Sequence, residues 1–267
     1  NVVTDGKLSD SNLTTEHLSA NGIATKDNGL MRANISSKEF MTKDGMGLGW
    51  NLGNQLEESN VSGYRKTVEE CETNAGNPVA TQKTFDGLKK TGVNTVRVPV
   101  AWSNFLTMEI PKEDGTVEKV TGANNMYKAV DAINTPMEGV TPATEDTYYR
   151  ISTELMDRIE TVINYGLNDG MYIIFNIHWD GGWWGMFGAE EYDAKETPIR
   201  DEAWKKYISI WTQISERFKE YSDHLIFEGA NEEISGRLND NYKDPNTAQQ
   251  NQTGKLGKKD PETEKID

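Results

Sequence analysis

The chain has 267 residues, which is enough for a single α/β barrel of roughly 250 residues. Its 43 acidic residues outnumber 28 basic ones, and the net charge of −15 disfavours binding to nucleic acid or to an anionic membrane surface. Cys71 is the single cysteine and excludes an internal disulfide, and three histidines offer little material for a zinc site. We therefore expect neither a metal nor a cofactor.

The polar ends of the chain predict its domain organisation. Residues 1–34 are rich in Asn, Thr, Ser, Asp and Gly without apolar periodicity, which is typical of a flexible polar leader or linker. Residues 239–267 have a similar composition, and we interpret them as a polar tail, a loop cut short by truncation. One folded domain is expected over 35–238. We find no signal peptide and no run of eighteen apolar residues, so no membrane span is expected.

Four short apolar segments, each bounded by glycines or polar residues, predict buried β-strands. They lie at 46–54, 94–102, 171–179 and 224–232. Helical spacing of apolar residues predicts helices between them, at 79–91, 146–167 and 201–221. Alternation of strands and helices is typical of parallel βαβ units, so we expect an α/β fold built on a parallel sheet.

The connections that follow the predicted strands are much longer than those that precede them. The strand-to-helix links cover about 55–78, 103–145 and 180–200, whereas the helix-to-strand links span only a few residues. In a βα barrel the loops that leave the carboxyl ends of the strands build the active site. We therefore expect a substrate cleft at these ends.

Side chains alternate across a strand, so each predicted strand directs some of its polar residues to one face of the sheet. This places Arg97, Asn176, His178, Glu228 and Glu232 on the interior face, while the apolar residues between them face the helices. A buried guanidinium needs a carboxylate partner, and we predict an ion pair between Arg97 and Glu228. Each residue alone could belong to a structural ion-pair network. Together, at strand ends below long loops, they favour a catalytic cluster.

Aromatic residues are concentrated next to the same strand ends. Trp179, Trp183 and Trp184 lie among glycines directly after the third predicted strand, and Trp102 ends the second. Aromatic rings suit the apolar faces of sugars, although such rings can also merely seal a loop. Several of them in one glycine-rich loop favour stacking against a sugar.

The four strand segments together resemble the family-5 glycoside hydrolases, the endoglucanase or cellulase family of (β/α)8 barrels. The matching segments are GWNLGNQLEE (49–58), VNTVRVPVAW (93–102), YIIFNIHWDGGWW (172–184) and HLIFEGANEE (224–233). The resemblance implies that the chain, over 35–238, holds about the first four βα units of a (β/α)8 TIM barrel.

The resemblance also implies roles for particular residues. Glu232 would be the general acid/base, and Asn231 would be the neighbouring amide that binds the sugar 2-hydroxyl. Arg97 and His178 would orient the sugar and the carboxylates. In the family the nucleophilic Glu lies near strand seven, so we expect the nucleophile beyond Asp267 and leave its identity unknown.

The implied activity is that of a secreted, retaining endo-β-1,4-glucanase acting on plant cell-wall polysaccharide, with this chain inactive by itself. The chain has Trp179 where the family often has a second His, and Glu233 where it often has Pro. These departures leave the preferred polymer open among cellulose, mixed-linkage glucan, xyloglucan, mannan and xylan. The alternative is a non-catalytic carbohydrate-binding fragment, and the oligomeric state stays open.

Two other classes of function fit the sequence less well. Gly47, Gly49 and Gly53 have the spacing GxGxxxG inside a strand-like segment, without the placement that a dinucleotide-binding loop requires. His178 and Asp180 would be two metal ligands with no third ligand close in sequence. Neither pattern predicts a cofactor.

Overall fold

The structure, a computed structural model, describes residues 23–27, 29–32, 35–43, 45–58, 67–121, 146–178, 180 and 199–231, together with 3–4 and 7–8. Its elements in chain order are β1 (Val3–Thr4), β2 (Lys7–Leu8), β3 (Ile23–Ala24), β4 (Leu30–Met31), α1 (Ser37–Lys43), β5 (Leu48–Asn51), α2 (Val68–Glu72), α3 (Gln82–Lys90), β6 (Val93–Val98), β7 (Leu106–Pro111), β8 (Val117–Thr121), β9 (Tyr148–Ile151), α4 (Thr153–Asn168), β10 (Tyr172–Asn176), α5 (Ile199–Phe218) and β11 (Leu225–Glu228). Within these residues, no helix is long and apolar enough to cross a membrane.

A four-stranded parallel sheet forms the centre of the described structure. Its strands β5, β6, β10 and β11 lie in the order β11-β10-β6-β5, so strands that follow one another in this series are neighbours in the sheet. Each strand falls within one of the four predicted apolar segments, or overlaps it closely, and the predicted parallel sheet is confirmed. Among the described strands, β5 and β11 form the two edges.

The outer face of the two central strands, β6 and β10, is buried beneath helices. Val96, Val98 and Val100 are 0% exposed, as is expected for alternating apolar residues on the helix-facing side of β6. Helix α3 packs against β6, and helix α4 packs against β10. The predicted separation of an apolar outer face from a polar inner face is confirmed for the central strands β6 and β10. On the edge strands, Trp50 of β5 and Phe227 of β11 share the outer face but are 55% and 43% exposed.

Helix α4 begins at a capped residue and lies very close to the sheet near its end. The Ser152 hydroxyl accepts a hydrogen bond from the Leu155 amide over 3.2 Å, which satisfies a free donor of the first turn. At Gly166, an added Cβ would lie 2.2 Å from Cδ1 of Ile173 in β10. Only glycine permits this close contact between helix and strand.

The segment around Tyr148 corrects the predicted helix over 146–167. Residues 148–151 are strand β9, which pairs with β7 in a three-stranded antiparallel sheet of order β8-β7-β9. The spacing of Tyr148, Ile151 and Leu155 fits one helical stripe, but it also fits a strand that leads into a helix capped at Ser152. The long link predicted over 103–145 contains β7 and β8 and is therefore more than a loop.

Residues 23–32, which lie within the predicted polar leader, form the hairpin β3–β4 and contact the chain just before β11. The Arg32 guanidinium forms an ion pair with Asp223 over 2.6 Å, and the Ser222 hydroxyl donates to Asp27 over 2.7 Å. Composition did not indicate this contact, because polar and charged side chains make it together with backbone hydrogen bonds such as that from the Lys26 amide to Glu220 O over 2.8 Å. The domain boundaries at 34 and 239 stay predictions.

Candidate active site

The polar site is centred on Arg97, whose side chain lies at the carboxyl ends of the parallel strands. Its Nε donates to Glu228 Oε2 over 2.8 Å, and its Nη2 donates to Oε1 over 2.5 Å. This two-point contact confirms the predicted ion pair. Nη1 also donates to Asn51 Oδ1 over 3.1 Å, and Nη2 donates to Asn231 Oδ1 over 2.8 Å. One guanidinium thus joins the ends of β5, β6 and β11.

Asn176, the last residue of β10, adds the remaining strand to this network. Its side chain is fully buried, and Nδ2 donates to Glu228 Oε1 over 3.0 Å. Nδ2 also lies 3.3 Å from His178 Nδ1, while Oδ1 accepts from the Val100 amide over 3.3 Å. Asn176 therefore holds Glu228 and His178 on the same face, as the alternation of side chains predicted.

Glu228 is a fixed anion within this site. Burial raises the pKa of its carboxyl group. The hydrogen bonds from Arg97 and Asn176 and the charge of Arg97 lower this pKa by more than burial raises it, so the pKa falls below the usual value of 4.5. The carboxylate stays ionised near neutral pH. It therefore serves as an acceptor for neighbouring donors and is unsuited to donating a proton.

Asn231 is held in a defined position just after β11. Its backbone amide donates to Ile177 O over 2.9 Å, which ties this segment to the end of β10. The side-chain Oδ1 accepts from Arg97, whereas Nδ2 is buried and has no hydrogen-bond partner among the described residues. A buried amide donor without a hydrogen-bond partner is rare in folded proteins, so Asn231 Nδ2 is an unusual feature of this site.

The geometry is that of a polar cluster at the carboxyl ends of parallel strands, where βα barrels carry their active sites. The family model described as cellulase (glycosyl hydrolase family 5) matches residues 57–253, which is most of the chain. The chain belongs to glycosyl hydrolase family 5. The fold of this family is a (β/α)8 barrel, and the described sheet supplies four parallel strands of it.

Known family 5 proteins match this chain over most of its length. Endoglucanase A of Paenibacillus barcinonensis is 31% identical over 208 residues, which cover 76% of this chain and 38% of that protein. A xyloglucan-specific endo-beta-1,4-glucanase of Bacteroides ovatus is 30% identical over 187 residues, covering 70% of this chain and 28% of that protein. A mutant lichenase from Caldicellulosiruptor sp. F32, solved in complex with cellotetraose, is similar with a TM-score of 0.50 at 30% identity, covering 74% of this chain and 40% of that one. The chain thus spans between 28% and 40% of the length of these three relatives.

Two residues near the site, Trp102 and Asp180, are buried and make contacts that support the fold. Trp102, which the sequence grouped with the sugar-binding aromatics, is 0% exposed, and its Nε1 donates to Asn176 O over 3.1 Å. The prediction is wrong for this ring, because it fills the core beside Phe175. Asp180 is also 0% exposed and accepts from the amide and hydroxyl of Ser103 over 2.9 and 2.8 Å, while Lys206 Nζ donates to the same hydroxyl.

Asp180 therefore joins the segment that follows β6 to the segment that follows β10. Over the described part of the chain, no group of three His, Cys, Asp or Glu residues could hold a metal ion. Within the described residues, the side chain of Asp180 contacts Ser103, and its backbone amide donates to His178 O over 2.9 Å.

Several predicted site residues lie outside the described residues, and their roles stay predictions: Glu232, Trp179, Trp183 and Trp184. The structure does bring together Arg97, His178 and Asn231. Sequence reasoning missed Asn51 as a member of the cluster. A signal was present, since Asn51 is a polar residue between apolar neighbours within the first predicted strand segment. In the structure it is the last residue of β5 and pairs in register with Arg97.

Proposed function

We propose that the chain carries the acid/base half of a retaining endo-β-1,4-glucanase, with Glu232 as the general acid/base. The proposal depends chiefly on one observation, the hydrogen-bonded cluster of Arg97, Glu228 and Asn231 at the carboxyl ends of the parallel strands. Membership of family 5 and the endoglucanase names of the relatives support the same reaction class.

Glu232 follows Asn231 directly, and the bond from the Asn231 amide to Ile177 supports its placement at the end of the sheet. In the proposed reaction, Glu232 protonates the glycosidic oxygen as the bond to the leaving sugar breaks. It then deprotonates the water that releases the glycosyl group from the enzyme. This double role needs a pKa close to the working pH.

The remaining residues of the cluster would bind and orient the sugar. Asn231 would contact the 2-hydroxyl, where hydrogen bonds strengthen as positive charge develops on the ring. His178, next to Asn176, would orient the sugar and the carboxylates. We propose that Trp179, Trp183 and Trp184 stack against sugar rings from the loop that follows β10.

The nucleophile has to be a second carboxylate about 5–5.5 Å from the first across the sugar. Glu228 fits this role poorly, because both of its oxygens accept hydrogen bonds from Arg97 and one also accepts from Asn176. Glu233 is equally unsuitable, because neighbouring side chains of an extended segment diverge. We propose a nucleophile beyond Asp267, as the resemblance implies.

The proposed substrate is a polysaccharide with a β-1,4-linked glucan backbone. The relatives are named for endoglucanase, lichenase and xyloglucan-specific activities, and one is a complex with cellotetraose. Plant cell-wall glucans have such a backbone. Because these polymers are too large to enter a cell, we propose that the enzyme is secreted. The net charge of −15 is compatible with a neutral polymer as substrate.

The test is an assay of the longest gene product that contains this chain, run beside the 267-residue chain. Both proteins are tested for retention on a cellulose affinity gel and for release of reducing ends from carboxymethylcellulose, lichenan, xyloglucan, mannan and xylan. We expect the longer form to release reducing ends from at least one β-1,4-glucan. Retention on the gel with no hydrolysis by either form would instead make the protein a carbohydrate-binding module.

A further inference from the structure

The orientation of the Asn231 side chain follows from the chemistry of its partner. A guanidinium has five N–H donors and no acceptor. The atom of Asn231 that lies 2.8 Å from Arg97 Nη2 is therefore the carbonyl oxygen, and Nδ2 lies on the opposite side of the amide. Arg97 thus determines which end of the amide is free to meet a ligand.

The free end of the amide is a donor without an acceptor. Nδ2 of Asn231 is buried and has no hydrogen-bond partner in the described part of the chain. Such a group costs stability unless an acceptor satisfies it, and its position beside Arg97 at the carboxyl ends of the strands points to a ligand atom that accepts a hydrogen bond. A sugar hydroxyl oxygen can do so.

Arg97 in turn depends on Glu228 for its position. Both of its bonds to Glu228 are parallel N–H donations to one carboxylate, the geometry that fixes a guanidinium most firmly. Glu228 also accepts from Asn176, so three donors converge on two oxygens. A glutamine at position 228 would turn an NH2 group toward at least one of these donors, and only a carboxylate satisfies all three.

We propose that Glu228 is a positioning residue that acts through Arg97 on Asn231, so that Asn231 Nδ2 donates a hydrogen bond to a substrate hydroxyl and the hydroxyl oxygen accepts it. The identity of the ligand as a sugar rests on the proposed function. The link from Glu228 to the Asn231 amide does not.

The first test measures that link without any sugar. In ¹⁵N-labelled protein, the two Nδ2 proton resonances of Asn231 are identified by their loss in Asn231→Asp. We expect Glu228→Gln to shift them, because Arg97 loses its two-point contact and no longer holds Oδ1. Glu109→Gln is the matched control, since Glu109 also pairs with arginine, over 3.1 Å to Arg150, but on the antiparallel sheet. Unshifted Asn231 resonances in a folded Glu228→Gln protein would overturn the proposal.

The second test is a double-mutant cycle on cellotetraose affinity in the longest gene product. Glu228→Gln should weaken binding about tenfold in the wild-type background, as expected for the loss of one well-placed hydrogen bond. In an Asn231→Ala background the same change should have almost no further effect. Equal losses in both backgrounds would show that Glu228 acts by a route that does not include Asn231.

A third variant tests the direction of the hydrogen bond. Asn231→Asp keeps the shape of the side chain but offers only acceptors, so it should bind cellotetraose at least as weakly as Asn231→Ala. Wild-type affinity in Asn231→Asp would mean that the hydroxyl is the donor. If the wild-type protein binds no cellotetraose while Glu228→Gln still shifts the amide resonances, the proposed function fails and the positioning role stands.

Discussion

Two arginine–carboxylate pairs lie at opposite ends of the same parallel sheet, and their contacts are nearly identical. At the carboxyl ends, Arg97 contacts Glu228 over 2.8 and 2.5 Å. At the amino ends, just before β11, Arg32 contacts Asp223 over 2.6 and 3.0 Å. Both pairs are partly exposed, so their intrinsic contributions to stability should be similar.

Their surroundings differ. The Arg32 backbone amide also donates to Asp223, and its guanidinium lies 5.4 Å from the ring centre of Phe40, so this pair fastens the leader hairpin to the sheet. Arg97 instead donates to the oxygens of two asparagines, and one of these, Asn231, has a buried amide donor without a hydrogen-bond partner among the described residues. The same ion-pair chemistry thus fastens a hairpin at one end and orients asparagine amides at the other, and in our proposal these amides bind the substrate.

The largest expected effect concerns Glu232, the proposed general acid/base. In the longest gene product, Glu232→Gln should lower kcat on cellotetraose by about 10²–10⁴-fold, because general-acid assistance is lost. A dinitrophenyl cellobioside needs no proton on its leaving group, so its first-turnover burst should survive. The check is stopped-flow release of dinitrophenol beside steady-state hydrolysis of cellotetraose. Equal loss on both substrates would argue for misfolding or for another role of Glu232.

A substitution at the amino ends of the sheet strands should change the stability of the protein and not its substrate binding, and Gly166→Ala tests this. The carbonyl of Gly166 accepts from the Met171 amide just before β10, and a Cβ at this position would meet Ile173 at 2.2 Å. We expect the free energy of unfolding to fall by about 1–3 kcal/mol from overpacking, with cellotetraose affinity unchanged. The measurement is urea unfolding of the 267-residue chain, and binding is tested in the longest gene product.

The matched control for this change is Gly87→Ala in α3, where an added Cβ meets nothing within 4 Å. This variant should gain up to about 1 kcal/mol, since alanine loses less backbone entropy in a helix. Similar stabilities for the two alanine variants would contradict the close approach of α4 to the sheet.

Removing each arginine in turn tests the comparison directly. Arg32→Ala and Arg97→Ala should each lower the free energy of unfolding by about 1–2 kcal/mol, a value kept small because solvent screens both pairs. Only Arg97→Ala should weaken cellotetraose binding. The two proteins are compared by urea unfolding and by calorimetric titration, and a binding defect of equal size in Arg32→Ala would remove the distinction between the two ends.

The smallest effect is a pH dependence of stability shared by both ends. Burial raises the pKa of Glu228 and of Asp27, but hydrogen bonds from their neighbours lower each pKa by more than burial raises it. The folded pKa therefore lies below the usual 4.5 for Glu228 and below the usual 3.8 for Asp27. The stabilisation that results is complete above these usual values and is lost as the pH falls through the folded pKa values. The stability difference between wild type and Glu228→Gln should therefore be constant from pH 7 to about pH 5 and shrink below about pH 4.5. A difference that widens with acidity in urea-unfolding series would contradict the lowered pKa of Glu228.

Local patterns in the sequence were sufficient for the parallel sheet and for part of the site. The apolar run through Ile173, Phe175 and Ile177 indicated a buried strand, and side-chain alternation placed Asn176 on the opposite face. This alternation is a property of extended backbone itself, so it placed Arg97 and Glu228 on one face of the expected parallel sheet. The need of a buried charge for a partner then predicted their contact. The sequence by itself also determined the resemblance to family 5, which the family match confirms.

Tertiary structure alone decided which of two compatible local patterns formed at Tyr148. Helical spacing suited the region, but backbone pairing with β7 makes it strand β9, and Gln213 of α5 holds that strand by donating to Tyr149 O over 2.7 Å. Local propensity is weaker than such contacts between distant segments. The prediction of an unbroken helix was wrong for that reason.

The same limit applies to the contacts within the site that sequence reasoning did not find. Asn51 was not identified as a member of the cluster, and Asn231 was identified only as a residue that binds sugar. Both contact Arg97, from 46 and 134 residues away in the chain, and the sequence predicted neither contact. Trp102 lies in the core because Phe175 and Asn176 surround it. Thus the sequence determined the strands and the direction of their side chains, which depend on neighbouring residues. Only the folded chain decided which polar atoms found partners and that Asn231 Nδ2 found none, because hydrogen-bond partners are chosen by distance in space.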